Sequence, residues 1–278
     1  MINIGLHIRV TSTLSHVAQK AIRLNLPFFQ CFLTGARGKK IVISDNDKKQ
    51  FLLIRDKFSA MYLHGSYWIN LCNFRNSHVE LISSELDVAR NLSFTHVVVH
   101  PGSAKYCSNK EVGIESIARS LNILTKRHEG LTIVLENTAH GKMTIGSDLH
   151  DFALLLQKLD RPESVSFCLD TAHAYSYGYD LVCPTAQQGF LDLVDATIGL
   201  NRVALIHLND TKEELGRRID CHHAPGTGNI GDTALYRFIS FSGLQNVPII
   251  LELPVMEEQD EFTVLQKVRQ WKCEPMEI

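Results

Sequence analysis

Cysteine pairs with metal-binding spacing are absent from this sequence. The seven cysteines are odd in number and scattered, and no two of them form a C-x-x-C motif. Neither a disulfide framework nor a cysteine zinc site is therefore indicated. The pattern favours a protein of a reducing compartment.

Long apolar runs are also missing. No segment approaches the roughly 18 apolar residues that a membrane span needs. The start, Met1-Ile2-Asn3-Ile4-Gly5, lacks the basic residues and the long apolar core of a signal peptide. We expect a soluble intracellular protein without a membrane partner, and the choice among cytoplasm, nucleus and virion stays open.

The sequence also has no excess of positive charge. The formal net charge is -2 with histidine neutral, which is a poor match for a protein that binds nucleic acid through a wide basic surface. Any polyanionic partner would need a local positive source.

Eight short β-branched runs alternate with amphipathic segments along the 278 residues. Apolar strands separated by crossover helices indicate a parallel sheet, and eight such units in one chain predict an α/β fold of the (β/α)8 TIM-barrel type. No linker interrupts the pattern, so we expect one domain over residues 1–278. The predicted strands are Ile2 to Ile8, Pro27 to Leu33, Ala60 to His64, Thr95 to His100, Leu131 to Glu136, Val165 to Asp170, Val203 to Leu208 and Pro248 to Leu253.

Polar side chains with metal-binding groups end seven of these eight runs. One such residue is ordinarily a hydrogen-bonded group at the edge of the core. In a barrel, however, the carboxyl ends of all strands converge on one face, and buried charges are costly unless they are paired or bind a metal. Their recurrence therefore predicts cations at that face. The residues are His7, His64, His100, Glu136, Asp170, His207 and Glu252.

Two short segments add further candidates. Asp170 and His173 stand three apart where the strand is expected to give way to a loop, so they need not share one ion. Asp220 and His222 stand two apart, on one side of an extended segment, with Cys221 pointing away. With His7 set aside, nine candidates remain, and their mixture of imidazole and carboxylate fits more than one zinc or manganese ion. Such ions would supply the missing positive charge.

Longer motifs surround these candidates, and at them the chain resembles endonuclease IV, the zinc-dependent family of apurinic/apyrimidinic (AP) endonucleases. The resemblance covers nearly the whole chain. Its motifs are His64-Gly65-Ser66-Tyr67-Trp68-Ile69-Asn70-Leu71, His100-Pro101-Gly102-Ser103, Leu135-Glu136-Asn137-Thr138-Ala139, Asp170-Thr171-Ala172-His173-Ala174, His207-Leu208-Asn209-Asp210, Asp220-Cys221-His222-His223 and Leu251-Glu252-Leu253-Pro254.

The resemblance implies three zinc ions per chain, with manganese as an alternative at one position. It implies that Glu136 bridges two of the ions and takes part in catalysis. On the family's pattern, His64, His100 and Glu136 hold the first ion; Glu136, Asp170, His207 and Glu252 hold the second; and His173, Asp220 and His222 hold the third.

The implied activity is cleavage of duplex DNA on the 5′ side of abasic sites, which leaves a 3′-hydroxyl and a 5′-deoxyribose phosphate. Trimming of blocked 3′ ends is implied in the same way, and a monomer is expected. Tyr67 matches the family's minor-groove wedge and Arg37 its inserted arginine, so both are predicted DNA-binding residues. No other cofactor is expected.

The sequence departs from the family in two places. Cys221 stands where the family commonly has an arginine, and Arg217 and Arg218 lie just upstream. His140 and the segment 142–145 replace a loop containing glycine and glutamine. Neither change touches a candidate ligand, so we expect catalysis to be retained and substrate preference to differ.

Two other classes of function remain open. A metal-dependent sugar isomerase or epimerase of the related barrel type also ends its strands in Glu, Asp and His, but it uses one or two ions and lacks the Asp-x-His motif. A barrel in which ions only brace a binding surface is disfavoured, because structural zinc sites tend to be closed and rich in thiolate.

Overall fold

A computed structural model describes residues 3–35, 41–74 and 76–273, and within them the chain forms a closed barrel of eight parallel strands. Each strand pairs with its neighbours in sequence, and β1 pairs with both β2 and β8 to close the barrel. The predicted (β/α)8 fold is confirmed. The strands are β1 (Ile4–His7), β2 (Phe28–Phe32), β3 (Ala60–His64), β4 (His96–Val99), β5 (Thr132–Glu136), β6 (Val165–Asp170), β7 (Val203–His207) and β8 (Ile249–Leu251).

Helices separate the strands and cover the outside of the barrel. Several begin where a side chain accepts a hydrogen bond from a first-turn N–H group, as Thr13 and Asn109 do. No helix in the described part of the chain is long and apolar enough to cross a membrane. The helices are α1 (Leu14–Arg23), α2 (Asp45–Ile54), α3 (Asn76–Asn91), α4 (Lys110–Arg127), α5 (His150–Leu156), α6 (Thr171–Tyr177), α7 (Pro184–Thr197), α8 (Gly231–Ser240) and α9 (Glu258–Cys273).

One layer of buried side chains lies inside the barrel below its carboxyl-end face. Strand β1 contributes Gly5, where an added Cβ would lie 2.6 Å from the side chain of Phe28. A glycine is therefore needed at this position to leave room for the aromatic ring of β2. The other strands supply Phe28, Tyr62, Val98, Val134, Cys168, Leu205 and Ile250.

A second layer lies directly above this one, because residues two apart on a strand point to the same side. Two positions after each interior residue, towards the carboxyl end, stands a polar side chain. The pairing of β6 with β7 shifts register between Phe167 and Cys168, and the shift brings Asp170 level with His207. This polar layer consists of His7, Gln30, His64, His100, Glu136, Asp170, His207 and Glu252.

Candidate metal centre

The first group of potential ligands joins β3, β4 and β5. His64 Nε2 lies 3.1 Å and His100 Nε2 3.0 Å from the same oxygen of Glu136, Oε2. His64 and Glu136 are buried, and His100 is partly exposed. Three atoms with metal-binding capacity thus meet at one point near the barrel mouth.

The second group uses the other oxygen of the same carboxylate. Glu136 Oε1 lies 2.9 Å from His207 Nδ1. The same nitrogen of His207 lies 3.5 Å from Glu252 Oε2 and 3.8 Å from Asp170 Oδ2. These four residues form a single cluster. Glu136 therefore spans two groups, one oxygen in each.

The third group lies on the loop side of the second. His173 Nε2 is 3.1 Å from Asp220 Oδ1 and 3.1 Å from His222 Nε2, and the latter two atoms are 3.4 Å apart. Asp170 Oδ2 lies 3.5 Å from His222 Nε2, so Asp170 stands between the second and third groups. All nine candidate ligands are thus brought together at one face.

The chemistry of these donors fits zinc. Around a tetrahedral zinc ion with nitrogen and oxygen ligands at about 2.0–2.1 Å, neighbouring ligand atoms stand roughly 3.3 Å apart. The closest contacts within the three groups, 2.9 to 3.4 Å, are near that value. In the third group, two imidazole nitrogens face each other across 3.1 Å beside a carboxylate oxygen, an arrangement that a shared cation stabilises.

In three of the histidines, one ring nitrogen makes a hydrogen bond to a neighbouring oxygen, and the other ring nitrogen faces the ligand groups. His64 Nδ1 donates to the Gly65 carbonyl at 2.9 Å, and His173 Nδ1 donates to the Asn137 carbonyl at 2.9 Å. His207 is reversed: its Nε2 donates to Gln30 Oε1 at 3.1 Å. Each such bond fixes the tautomer and leaves the inward nitrogen available as a ligand.

The segment that carries Asp170 and His173 is a helix start, and the predicted loop is wrong at this point. Helix α6 begins at Thr171, and Asp170 Oδ1 caps it by accepting a hydrogen bond from His173 N at 2.7 Å. The cap places His173 in the first helical turn, with its ring above the end of β5. Asp170 Oδ2 remains directed towards the second and third groups.

Gln30 is a member of the site that we did not predict. It is fully buried, accepts from His207, and donates to Glu252 Oε1 at 2.8 Å. His7 Nδ1 lies 2.9 Å from the amide nitrogen of Gln30 and 3.1 Å from Glu252 Oε1. Gln30 therefore orients two candidate ligands at once. The two-residue period from Phe28 would have revealed it, had the search not been restricted to acids and histidines.

Two asparagines play a similar part around Asp170. Asn137 Oδ1 accepts from Asp170 N at 2.6 Å, and its Nδ2 donates to the Asp170 carbonyl at 3.1 Å. Asn209 Nδ2 donates to Asp170 Oδ2 at 2.6 Å and to Glu252 Oε2 at 3.3 Å. Both follow a candidate ligand within two residues, and their position is the signal that could have predicted this role.

Asp210 is buried, and its carboxylate makes no hydrogen bond or ion pair with an acid or histidine side chain of the described residues. Its carboxylate accepts five backbone N–H groups, three at Oδ2 from Gly226, Gly228 and Gly231, and two at Oδ1 from Thr211 and Ile230. Gly228 passes so close to this carboxylate that an added Cβ would overlap it. Asp210 thereby closes the loop that carries Asp220 and His222.

Opposed charges stabilise the ionised carboxylates. Burial alone would favour neutral Glu136, but the imidazoles of His207 and His100 hold its pKa well below the usual range. Burial also opposes ionisation of Glu252, whose pKa is held low by His207 and His222. Because these acids stay ionised, they are ready to bind cations.

Neighbouring carboxylates raise the pKa values of two histidines. Burial disfavours the charged form of His173, yet Asp170 and Asp220 raise its pKa well above the usual value. For His207, burial is likewise outweighed by the neighbouring groups, Cys168, Glu252 and Glu136, which raise the pKa. Both shifts favour the protonated imidazole beside the ionised carboxylates.

The cysteines near the site do not behave as ligands. Cys168 lies within reach of Glu136 and His207, but burial raises the pKa of its thiol to about 12, and a thiol is a poor ligand. Burial also raises the pKa of Cys221, the residue between Asp220 and His222.

An aromatic edge and a cavity border the three groups. Tyr67 packs on His64 and His100, with ring centroids 5.6 Å away in both cases, and is 60% exposed. Trp68 beside it is 63% exposed. A cavity of about 520 Å³ lies next to Tyr67 and reaches Asp220 and Glu252. Arg37 falls outside the described residues.

Known proteins of similar sequence and structure identify the family of this chain. The family described as the xylose isomerase-like TIM barrel matches residues 19–272. A probable endonuclease 4 of Thermotoga maritima is 31% identical over 268 residues, which cover 93% of each chain. The chain belongs to the endonuclease IV family. The crystal structure of endonuclease IV from Thermus thermophilus superimposes with a TM-score of 0.82 at 29% identity, covering 97% of this chain and 98% of that one.

The wider barrel group is recognisable as well. A D-tagatose 3-epimerase-like protein superimposes with a TM-score of 0.73, covering 97% of each chain, at 18% identity. At that identity the likeness concerns the fold alone.

Proposed function

We propose that this chain is a zinc-dependent AP endonuclease that hydrolyses the phosphodiester 5′ to abasic sites in duplex DNA, leaving a 3′-hydroxyl and a 5′-deoxyribose phosphate. We also propose that it trims blocked 3′ ends and acts as a monomeric single domain. The observation that supports this best is the third group. Asp220, His173 and His222 add a set of donors beyond the pair that Glu136 joins, in a chain of the endonuclease IV family.

Each group would hold one zinc ion, with manganese as an alternative at one position. When bound, such ions lower the pKa of a coordinated water from about 15.7 to about 7 and polarise the oxygens of a phosphate. Glu136 would hold two ions at a fixed separation through its two oxygens. Asp170 would link the pair to the ion at His173, because its carboxylate faces both groups.

The surrounding residues orient and shield the reacting phosphate. Gln30, Asn137 and Asn209 fix the ligands by hydrogen bonds, so little reorganisation is needed when a substrate binds. Tyr67 covers the imidazoles of the first group on one side and presents its other face to solvent. We propose that this ring contacts the DNA where the abasic residue leaves a gap in the stack, since extrusion costs least there. Arg37 is proposed as a second DNA contact from the sequence resemblance.

The decisive experiment is incision of a duplex that carries a single abasic analogue. We expect cleavage on its 5′ side by the zinc-loaded protein, about three zinc ions per chain, and loss of incision in Glu136→Gln. Glu115→Gln, on the outer surface of α4, is the matched control and should cleave normally. No incision by the zinc-loaded wild type would refute the proposal, and an active Glu136→Gln variant would remove Glu136 from the mechanism.

A sugar epimerase is the second candidate, favoured by the cavity beside the metal groups. Its volume of about 520 Å³ is within the roughly 300–1,000 Å³ typical of small-ligand sites. One ion per chain and conversion of a ketohexose to its epimer, without incision of DNA, would support that function instead.

A further inference from the structure

The cations of the described chain are distributed unevenly. Those on the outer helices are mostly neutralised, as in the ion pairs of Arg127 with Glu80 and Lys20 with Glu261. Five helix cations of the described residues make no ion pair, and two of these, Arg237 and Arg269, instead donate to uncharged oxygens. The other three are Lys48, Lys49 and Arg119. By contrast, none of the cations on the loops that follow β1, β5 and β7 has an ion pair with a described residue. These loop cations are Arg9, Lys142, Lys212, Arg217 and Arg218.

Two of these cations also have unusual backbone conformations. Lys142 has φ of 61° and Arg218 φ of 65°, in the left-handed region that residues with side chains seldom adopt. The other two such residues among those described, Asn25 and Ser93, lie just past the ends of α1 and α3, where this conformation is common. Lys142 and Arg218 lie on loops beside the metal centre, and strain retained there points to a function.

The loops of Lys142 and Arg218 are joined to each other. His140 Nδ1 donates to the Arg218 carbonyl at 3.1 Å, and Arg218 N donates to the Ser176 carbonyl at 2.7 Å. The guanidinium lies against the backbone at Gly141, where an added Cβ would be 2.7 Å from Nη1, and 5.7 Å from the ring centroid of Tyr177. The exposed side chain thus packs against the Gly141 backbone and near the Tyr177 ring.

This linked pair of loops stands directly beside the third group of ligands. Arg218 is two residues before Asp220, and Lys142 is six residues after Glu136. The altered segment after Glu136 and the arginine just upstream of Cys221 therefore meet at one surface. Glu213 and Glu214 lie on the same loop but make no ion pair with Arg218, so its charge remains available.

We propose that Lys142 and Arg218 form a phosphate-binding clamp that contacts the backbone of the substrate DNA next to the metal centre. The inference rests on the proposed function for its substrate. A guanidinium fixed in position suits a phosphate because its N–H groups can bind two oxygens at once. The clamp gives a protein of slightly negative net charge a local positive contact, independent of any metal ion.

The test uses variants that remove one charge but tolerate the left-handed backbone, Lys142→Asn and Arg218→Asn. On the abasic-analogue duplex, we expect KM to rise about tenfold and kcat to stay within about twofold. Binding of an undamaged duplex, followed by fluorescence anisotropy from about 50 to 200 mM salt, should lose about 0.9 of its log–log salt slope per variant. Arg218→Lys, which keeps the charge, should retain the slope.

Arg127→Asn is the matched control, because it removes an exposed guanidinium at the far end of α4. It should change neither KM nor the salt slope. Wild-type KM and slope in both test variants would overturn the proposal. So would a loss of zinc and kcat with an unchanged slope, since that would show a purely structural role for the loop. If the wild type fails to incise DNA but the test variants still lose salt slope, the clamp stands and the proposed function falls.

Discussion

Asp210 offers the sharpest test of how the third group is built. In Asp210→Asn, one carboxylate oxygen becomes an NH2 group, which cannot accept a hydrogen bond. If the remaining oxygen keeps the three glycine N–H groups, those of Thr211 and Ile230, now 2.8 and 3.0 Å from Oδ1, lose their acceptor. Hydrogen bonds to a charged acceptor contribute about 1.5–3 kcal/mol each, so the loss amounts to about 3–6 kcal/mol.

A cost of that size is comparable with the whole stability of many domains, about 5–15 kcal/mol. The loop from Thr211 to Gly231 can escape it by opening locally, because much of its surface faces solvent. Opening would separate Asp220 and His222 from His173. We therefore expect zinc content to fall from about three to two ions per chain, and amide hydrogen exchange to accelerate within residues 211–231 while the barrel strands stay protected.

Asp195→Asn is a suitable control, because Asp195 accepts a single backbone N–H, from Leu200 at 3.1 Å, in an exposed position. That variant should lose less than about 1 kcal/mol and no zinc. An Asp210→Asn protein with a full zinc complement and unchanged exchange in the loop would refute the reasoning, because it would show that the five N–H groups do not depend on the carboxylate.

Three further predictions concern the ligands directly. His173→Ala should lose one zinc ion, measured by elemental analysis, and retain the two that Glu136 joins, whereas loss of all zinc would contradict separate groups. Gln30→Leu should lower the zinc affinity of the His207 group roughly 10–100-fold in a chelator titration, since His207 and Glu252 lose their orienting partner; an unchanged affinity would assign Gln30 to packing alone. Because the pKa values of His173 and His207 are raised above the ordinary 6.5, zinc must compete with protons for both imidazoles. Calorimetry in two buffers of different ionisation enthalpy should thus detect proton release, with zinc affinity rising with pH, and no release would count against the raised values.

The barrel could be predicted from the sequence because its signal is repeated. Each apolar run marks a strand whose end is fixed by a change to polar residues, and β3 and β6 begin and end at the predicted residues. The start of a helix leaves a weaker signal, as at Glu258, the first residue of α9. The first turn of α9 is acidic and polar, so hydrophobic periodicity has little to detect there.

The convergence of the candidate ligands was predictable for a related reason, but their supporting residues were not. A histidine or acid at a strand end is conspicuous, whereas the amides of Gln30, Asn137 and Asn209 resemble ordinary polar residues until their partners are known. Asp210 illustrates the limit most clearly. In the sequence it is one more acid near a strand end. Only the folded loop shows that its carboxylate oxygens accept hydrogen bonds from backbone N–H groups.

The stacking of the polar layer on the interior layer has a consequence for protein engineering. Each strand presents one inward position at the same height, two residues beyond a residue that already fills the barrel, as Val134 precedes Glu136. The eight positions of the polar layer are therefore equivalent in geometry, and each can be substituted separately because each lies on a different strand. A set of side chains that prefers cobalt, nickel or iron, placed in the polar layer, would change the chemistry at this end of the barrel. The fold would be kept, because the interior layer that packs the barrel lies two residues earlier on each strand.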